Sequence, residues 1–416
     1  MREKPGLLFI SHRLPFPPDK GERIRGWNLL RHLAASYDIH LGCLTDEPAA
    51  PSSLEALRSV CADVAVVAMN RRWQKLHALR RLRPGRPLMP DYYHRPGLQR
   101  WVEEVLARRR IDVVYIYSAA MAPYAPAGDL PDDRHPARRR TRILDMQDID
   151  SEKWTSYAAG AAWPMRLVWA REGRTLLEFE RAAARNCDAT LFVTEREARR
   201  FIELAPESAA GIDWLEHGVD AEAFTPGREF PNPYAQLEHI GPDIVFTGNM
   251  DYWPNADAAS WFACEIMPEL RRHRPGLRFH AVGANPARET LRLARLPGVH
   301  VTGRVPDVRP YLAHAALAVA PLRIARGIQN KVLEAMAMAR PAVVSSGALE
   351  GLHAEAGHHL LVADGAAETV RCVREVLDGK HPGLGPAGRA LVEARYSWQS
   401  AIARLDRILE RNSDAR

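Results

Sequence analysis

Residues 327–346 read GIQNKVLEAMAMARPAVVSS. A glycine and three residues with free backbone amides lead into a run whose apolar side chains, Val332, Leu333, Met336 and Ala339, recur at helical spacing. That side is made for burial against a sheet. Lys331 and Glu334 are three apart and share a face of the same helix, one turn from each other. The segment AVVSS that follows has strand composition. Glycine turn, helix and strand make half of a βαβ unit, and the fold depends on whether the rest of the chain repeats it.

It does. In the first half, the strand candidates are LLFIS (7–11), IHLGCLT (39–45), VAVVAM (64–69), DVVYIYS (112–118), RILDMQ (142–147) and ATLFVT (189–194). Helical runs separate them, the clearest over 165–186. Most of these strands are continuous apolar runs rather than alternating ones, as parallel strands covered on both faces should be. Around 225–242 the texture changes: FTPGREFPNPYAQLEHIGPD holds four prolines and two glycines without a sustained period. Alternation then resumes with DIVFTG (243–248), LRFHAVG (277–283), VHVTG (299–303), ALAVAPL (316–322) and PAVVSS (341–346). The expected fold class is α/β, with two Rossmann-like doubly wound domains. Residues 1–225 form the first, 226–242 a linker and 243–395 the second. An amphipathic helix over 396–416 packs back toward the first domain. Ligands are expected in a crevice between the domains, at the carboxyl ends of the strands.

Bulk properties narrow the class. The 416 residues are 46% hydrophobic and 26% charged, the balance of a water-soluble globular chain. Five dispersed cysteines (Cys43, Cys61, Cys187, Cys264, Cys372) fit neither a disulfide framework nor a zinc site, and point to a reducing cytoplasm. No apolar run approaches the roughly 20 residues of a membrane helix. A net charge of +6 is concentrated in 71–86 and 138–142. Solvated surface is the plain explanation of these clusters, and an anionic membrane surface is the next. No nucleic-acid module accompanies the charge.

The opening stretch also carries chemistry. Gly327 allows close backbone approach, and the amides of Ile328, Gln329 and Asn330 stand at a helix N-terminus, which attracts anions. Lys331 adds a full positive charge, and Glu334 is placed to accept hydrogen bonds from a ribose diol. A diphosphate fits that arrangement. A capped helix bearing an ordinary surface Lys–Glu pair would look the same.

GIQNKVLEAMAMARPAVVSS resembles the donor-binding segment of GT-B glycosyltransferases of the retaining group 1/family 4 type. FTGNM (246–250), VTGRVPDVRPYLAHAALAVAPLR (301–323), HGVDAEAF (217–224) and ISHRLPFPPDKGERIRGWNLLRHLA (10–34) resemble its other signposts, in the same order and across nearly the whole chain. The wording of LPFPPDKGERIR, DMQDIDSEKW (145–154) and ARGIQNKVLEAMA is most similar to transferases of bacterial exopolysaccharide and exosortase (PEP-CTERM) systems.

The resemblance implies a nucleotide-sugar substrate, UDP- or GDP-linked, no cofactor and no metal. It implies a glycan or lipid-linked acceptor, and a cytoplasmic enzyme that can sit on the inner face of the membrane. Carried onto this sequence, the catalytic positions are Lys331, Glu334 and Arg326. The donor-binding positions are Gly248, Asn249, Arg304, Gly327, Ile328, Gln329 and Asn330. His12, Gly21, Arg25 and Asp148 lie in the first domain, toward the acceptor. Two departures stand out. The family often carries a glutamate where Arg326 stands, and basic residues after the glycine of FTGNM that are missing here. Arg326, Arg304 and Lys331 are then the candidates for meeting the diphosphate charge. The alternatives are a non-catalytic sugar-nucleotide or glycan-binding component and a nucleotide-sugar epimerase of the same fold.

Overall fold

The computed structural model describes residues 4–18, 21–70, 85–125, 140–235, 241–325 and 328–414. The chain divides into two compact units: Met1–Glu216 with Ile402–Arg416, and His217–Ala401.

The first unit is built on a parallel sheet. Its strands are β1 (Gly6–Ser11), β2 (Asp38–Thr45), β3 (Asp63–Ala68), β4 (Val113–Tyr117), β5 (Thr141–Gln147), β6 (Ala189–Phe192) and β7 (Ile212–Trp214). They lie in the order β3-β2-β1-β4-β5-β6-β7. All six residues of β1, GLLFIS, are buried, because helices cover both faces of the sheet. Leu8, Ile10, Val114, Ile116 and Leu144 join Leu98 and Val102 of the Pro96–Arg108 helix in one apolar core. The direction of winding reverses between β1 and β4, which sets the loops after these two strands side by side.

The second unit repeats the plan. Its strands are β8 (Asp243–Thr247), β9 (Arg278–Val282), β10 (Val299–Gly303), β11 (Leu317–Ala320), β12 (Ala342–Val344) and β13 (Leu361–Val362), in the order β10-β9-β8-β11-β12-β13. Every described pairing is parallel. The reversal here falls between β8 and β11. Val332, Leu333 and Met336 are buried on this sheet as their spacing required, and Met338 fills the second apolar cluster with Val245 and Leu312.

Three boundaries differ from the sequence expectation. The helix expected to carry Ala339 on its apolar side starts at Asn330 and ends already at Ala337. Ala339 lies beyond it with φ 52°, and the Arg340 N–H donates to the Ala335 carbonyl at 2.9 Å, which closes the helix end. The stretch expected as a linker, 226–242, belongs to the second unit, as do the residues from His217 onward. Aromatic side chains set between its prolines find burial there: Tyr234 is buried and donates its hydroxyl hydrogen to the Tyr311 carbonyl at 2.8 Å, and Phe230 lies under Arg309. Finally, the last helix, Trp398–Asp414, has Ser397 as its N-cap, and residues from Ile402 group with the first unit. Within that unit Arg404 donates to the Trp214 carbonyl and to Asp213, each at 2.6 Å, and Asp406 meets His32 at 2.7 Å.

Candidate active site

In the second unit, the loops after β8, β9 and β11 converge. Two glycines make this possible. A Cβ on Gly283 would lie 1.7 Å from the Gly248 carbonyl oxygen, and one on Gly248 would lie 2.8 Å from the Asn255 amide nitrogen. Asn255, in the Trp253–Trp261 helix, is buried and ties the loop together. Its Nδ2 donates to the Asn249 carbonyl at 2.9 Å, and its Oδ1 accepts from Lys331 Nζ at 3.0 Å. Lys331 Nζ also reaches Gln329 Oε1 at 3.3 Å and stands 5.6 Å above the Phe246 ring.

This ammonium is half-buried, and desolvation lowers its pKa to about 8, while Glu334 one turn on opposes the shift. Desolvation raises the half-buried Glu334 to about 7 against the pull of Lys331. The Asn249 side-chain oxygen is buried with no hydrogen-bond partner among the described residues, an acceptor facing no protein donor. Ile328, Gln329 and Asn330 lead into the helix beside these groups, with Ile328 packed against the core. Arg304 is exposed just past Gly303. Arg326 and Gly327 lie outside the described residues.

In the first unit, the loops after β1, β4 and β5 border a cavity of about 650 Å³. His12 follows β1; its Nδ1 is 3.4 Å from the Tyr117 carbonyl, its ring meets Tyr93 edge-on at 5.7 Å, and burial lowers its pKa. Ser118 follows β4 and Gln147 closes β5, with φ of 88° and 70°. Two adjacent strand ends thus hold non-glycine residues in a backbone region they rarely occupy, which is more frequent at functional sites than elsewhere. Asp148 and Asp150 share Lys153, at 2.8 and 3.0 Å, so this D-x-D spacing is an ion-pair cluster. Two carboxylates fix the Asp150–Gly160 helix beside it: buried Glu180 accepts from the Ser151 N–H and hydroxyl, and half-buried Glu197 from the Ile149 N–H.

Arg25 corrects the sequence expectation. It is 0% exposed, its Nε and Nη2 donate to both oxygens of Asp145 at 2.9 and 3.1 Å, and its Nη1 donates to the Leu215 carbonyl at 2.6 Å. Tyr115 donates to the same carboxylate at 2.8 Å. Every guanidinium nitrogen is committed inside the unit, so Arg25 is a fold residue and contacts neither donor nor acceptor. Gly21 begins the Gly21–Ser36 helix and is half-buried. Asp220 accepts from the Ala223 N–H at 2.8 Å and fixes the turn that follows HGVD.

The structure therefore joins Lys331, Glu334, Asn249 and Gly248 in one unit, and His12 with Asp148 in the other. Sequence reasoning missed Asn255, Gly283, Lys153, Ser118 and Gln147. Lys153 stood inside a quoted motif. Asn255 had no signal beyond its place at a helix start, since a buried amide linking two loops leaves no periodicity.

Residues 241–378 match the model for Glycosyl transferases group 1. GDP-mannose-dependent alpha-(1-6)-phosphatidylinositol monomannoside mannosyltransferase of Mycobacterium tuberculosis is 28% identical over 390 aligned positions, covering 77% of this chain and 96% of that protein. The chain is a glycosyltransferase, with its match to the group 1 model lying in the second unit. Among solved structures, this glycosyltransferase is similar in fold to Anabaena Alr3699/HepE in complex with UDP and glucose (TM-score 0.66, 14% identity, 97% of this chain and 99% of that one). It is also similar to sucrose-phosphate synthase from Thermosynechococcus elongatus (TM-score 0.66, 14% identity, 99% and 100%). The glycosyltransferase thus has the GT-B fold, each of its two units carrying one Rossmann-like sheet.

Proposed function

We propose that this glycosyltransferase moves a hexosyl group from a UDP- or GDP-linked sugar to a glycan or lipid-linked acceptor, with retention of the anomeric configuration and without a metal, in bacterial exopolysaccharide synthesis. The observation that carries the donor half is the half-buried Lys331 ammonium, fixed by Asn255 where the helix opens and followed by Glu334 one turn later. A diphosphate at the start of this helix gains the peptide amides and a cation whose charge burial leaves poorly solvated. Glu334 is placed for the ribose hydroxyls, and the unpartnered Asn249 oxygen for another hydroxyl of the donor.

In the reaction proposed, the bond from the anomeric carbon to the β-phosphate oxygen breaks as the acceptor oxygen bonds to that carbon on the same face. The acceptor proton passes to the departing phosphate, so no carboxylate nucleophile is required. Lys331 stabilises the charge on the leaving group. Among the described residues, no three His, Cys, Asp or Glu side chains come together as a metal site. For the acceptor, the polar groups His12, Ser118, Gln147 and Asp148 supply hydrogen-bonding partners for sugar hydroxyls. The mannosyltransferase relative, named for a phosphatidylinositol monomannoside acceptor, favours a lipid-linked substrate.

The test is a thermal-shift titration with UDP-, GDP-, ADP- and dTDP-linked sugars, wild type beside Lys331→Ala and Glu334→Ala. A donor at a hundred times its Kd adds about 2.7 kcal/mol to stability. The expected result is that one nucleotide stabilises the wild type and that both variants lose most of the increment. No stabilising nucleotide, or variants that respond like the wild type, would remove the donor site from this helix.

A further inference from the structure

Five of the exposed large hydrophobic side chains fall within residues 157–168: Tyr157 (55% exposed), Trp163 (78%), Met165, Leu167 (62%) and Val168. They crown the turn between the Asp150–Gly160 and Met165–Arg185 helices. Nothing among the described residues covers them. The two helices are locked to one another below the turn, where Gly173 allows an approach so close that a Cβ would lie 2.5 Å from Thr155 Oγ1. A rigid hairpin thus holds a bulky apolar tip in water, which is costly unless something else receives it.

The tip is continuous with the cavity of the first unit. Trp154, Tyr157 and Trp169 form an aromatic row, with ring centroids about 6 Å apart (6.1 and 6.0 Å). All three line the cavity, along with Met165 and Val168 of the tip. The strand ends give the same cavity its polar groups, among them His12, Gln147 and Asp148. One continuous surface therefore runs from hydroxyl-binding groups, along aromatic rings, to exposed indole and alkyl side chains. Residues 154–170 contain Arg166 and no carboxylate, while Arg171 is paired with Glu172 at 3.7 Å. Tryptophan beside arginine on an apolar tip is the composition that settles at the headgroup level of a bilayer and prefers anionic lipid.

We propose that this hairpin tip seats in an anionic lipid bilayer, and that the aromatic row takes the hydrocarbon chain next to the headgroup of a bilayer-embedded acceptor while its sugar enters the polar end of the cavity. The proposal rests on the glycosyl-transfer reading and names its acceptor class, a membrane lipid bearing a sugar or polyol.

The experiment is flotation of the full chain with vesicles of phosphatidylglycerol and phosphatidylcholine, and with phosphatidylcholine alone. The wild type is compared with Trp163→Glu/Leu167→Glu, with Arg166→Glu, and with Leu291→Glu as an exposed apolar control in the second unit. The wild type and the control float with anionic vesicles. The double variant loses partition by about a hundredfold, two apolar anchors being removed from lipid. Arg166→Glu weakens flotation on anionic vesicles only, and more so at low salt. All the substituted positions are exposed, and circular dichroism melts should match the wild type. No flotation, or equal flotation of the double variant, overturns the proposal. So does sedimentation showing that the wild type is a dimer and the double variant a monomer, because a second copy then covers the tip. Nucleotide-sugar titration of the same samples separates the two readings. A variant that loses vesicles but keeps its nucleotide-induced stabilisation locates the defect at the tip, and absence of any nucleotide response in the wild type tells against glycosyl transfer itself.

Discussion

Lys331 and Glu334 differ from a surface ion pair in what surrounds them. Burial lowers the ammonium to about 8 and raises the carboxyl to about 7, so each charge depends on the other and on the ligand. The sign for donor binding follows. A nucleotide sugar is a phosphodiester whose diphosphate charge is constant near neutrality, so the pH dependence belongs to the protein. Affinity weakens as pH rises through about 8, where Lys331 loses its proton. Glu334 raises the Lys331 pKa, so Glu334→Gln moves that loss to lower pH, and calorimetric titrations between about pH 6 and 9 should show the midpoint shift. An unchanged midpoint would mean that the lysine does not face the diphosphate. Lys331 and Glu334 were visible in the sequence because helical spacing alone puts them on one face. The burial of Arg25 was not, because Arg25 and Asp145 are 120 residues apart and nothing local marks an arginine that will be matched inside the sheet.

At the scale of elements, the strands read from the sequence are present and parallel, buried except for the edge strands β3 and β10, which are largely half-buried. The two that were missed, β7 and β13, have three and two residues, too few to carry an apolar run. The helix end at Ala339 was displaced by its tertiary surroundings. The Ala339 carbonyl lies so close to Gly385 that a Cβ there would come within 2.2 Å of its oxygen, and that packing accompanies a left-handed closure at a non-glycine residue. The Asp150–Gly160 helix shows how an element beside the cavity is held. Glu180 is fully buried and accepts from Ser151, and burial raises its carboxyl to about 8. A carboxyl raised in the folded state contributes stability fully below its unfolded value near 4.5, and that contribution is lost as pH rises through about 8. Urea unfolding of the wild type should therefore weaken between about pH 5 and 9 by more than that of Glu180→Gln, which has no proton to lose. Parallel pH profiles would show that Glu180 keeps its charge in the folded state.

Over the whole molecule, the two sheets share a plan and differ in contents. One surrounds a cation and a carboxylate at the start of a helix, the other a cavity polar at the strand ends and aromatic beside them. Strand order was not legible in the sequence, since alternation fixes the kind of sheet and leaves the order of its strands open. The order decides which loops meet, and so why His12 and Ser118, 106 residues apart, border one cavity. The closing helix completes the first unit with buried Leu405, Ile408 and Leu409. Ending the chain at Ala401 should lower the stability of that unit by several kcal/mol, at about 1.5 to 3 kcal/mol for each large apolar side chain lost. Calorimetry with and without the best donor nucleotide checks this. The ligand-responsive transition should stay in place while the other moves to lower temperature, and a truncated chain that melts like the full one would show that the helix contributes nothing.

The return of the tail to the first unit also sets a timetable. A ribosome delivers the β1–β7 sheet early, but the helix that finishes it emerges only after the entire second unit has been synthesised. The second unit can fold completely while its elder neighbour still lacks a wall. A premature stop just before Ile402 would thus spare the half made later and damage the half made first.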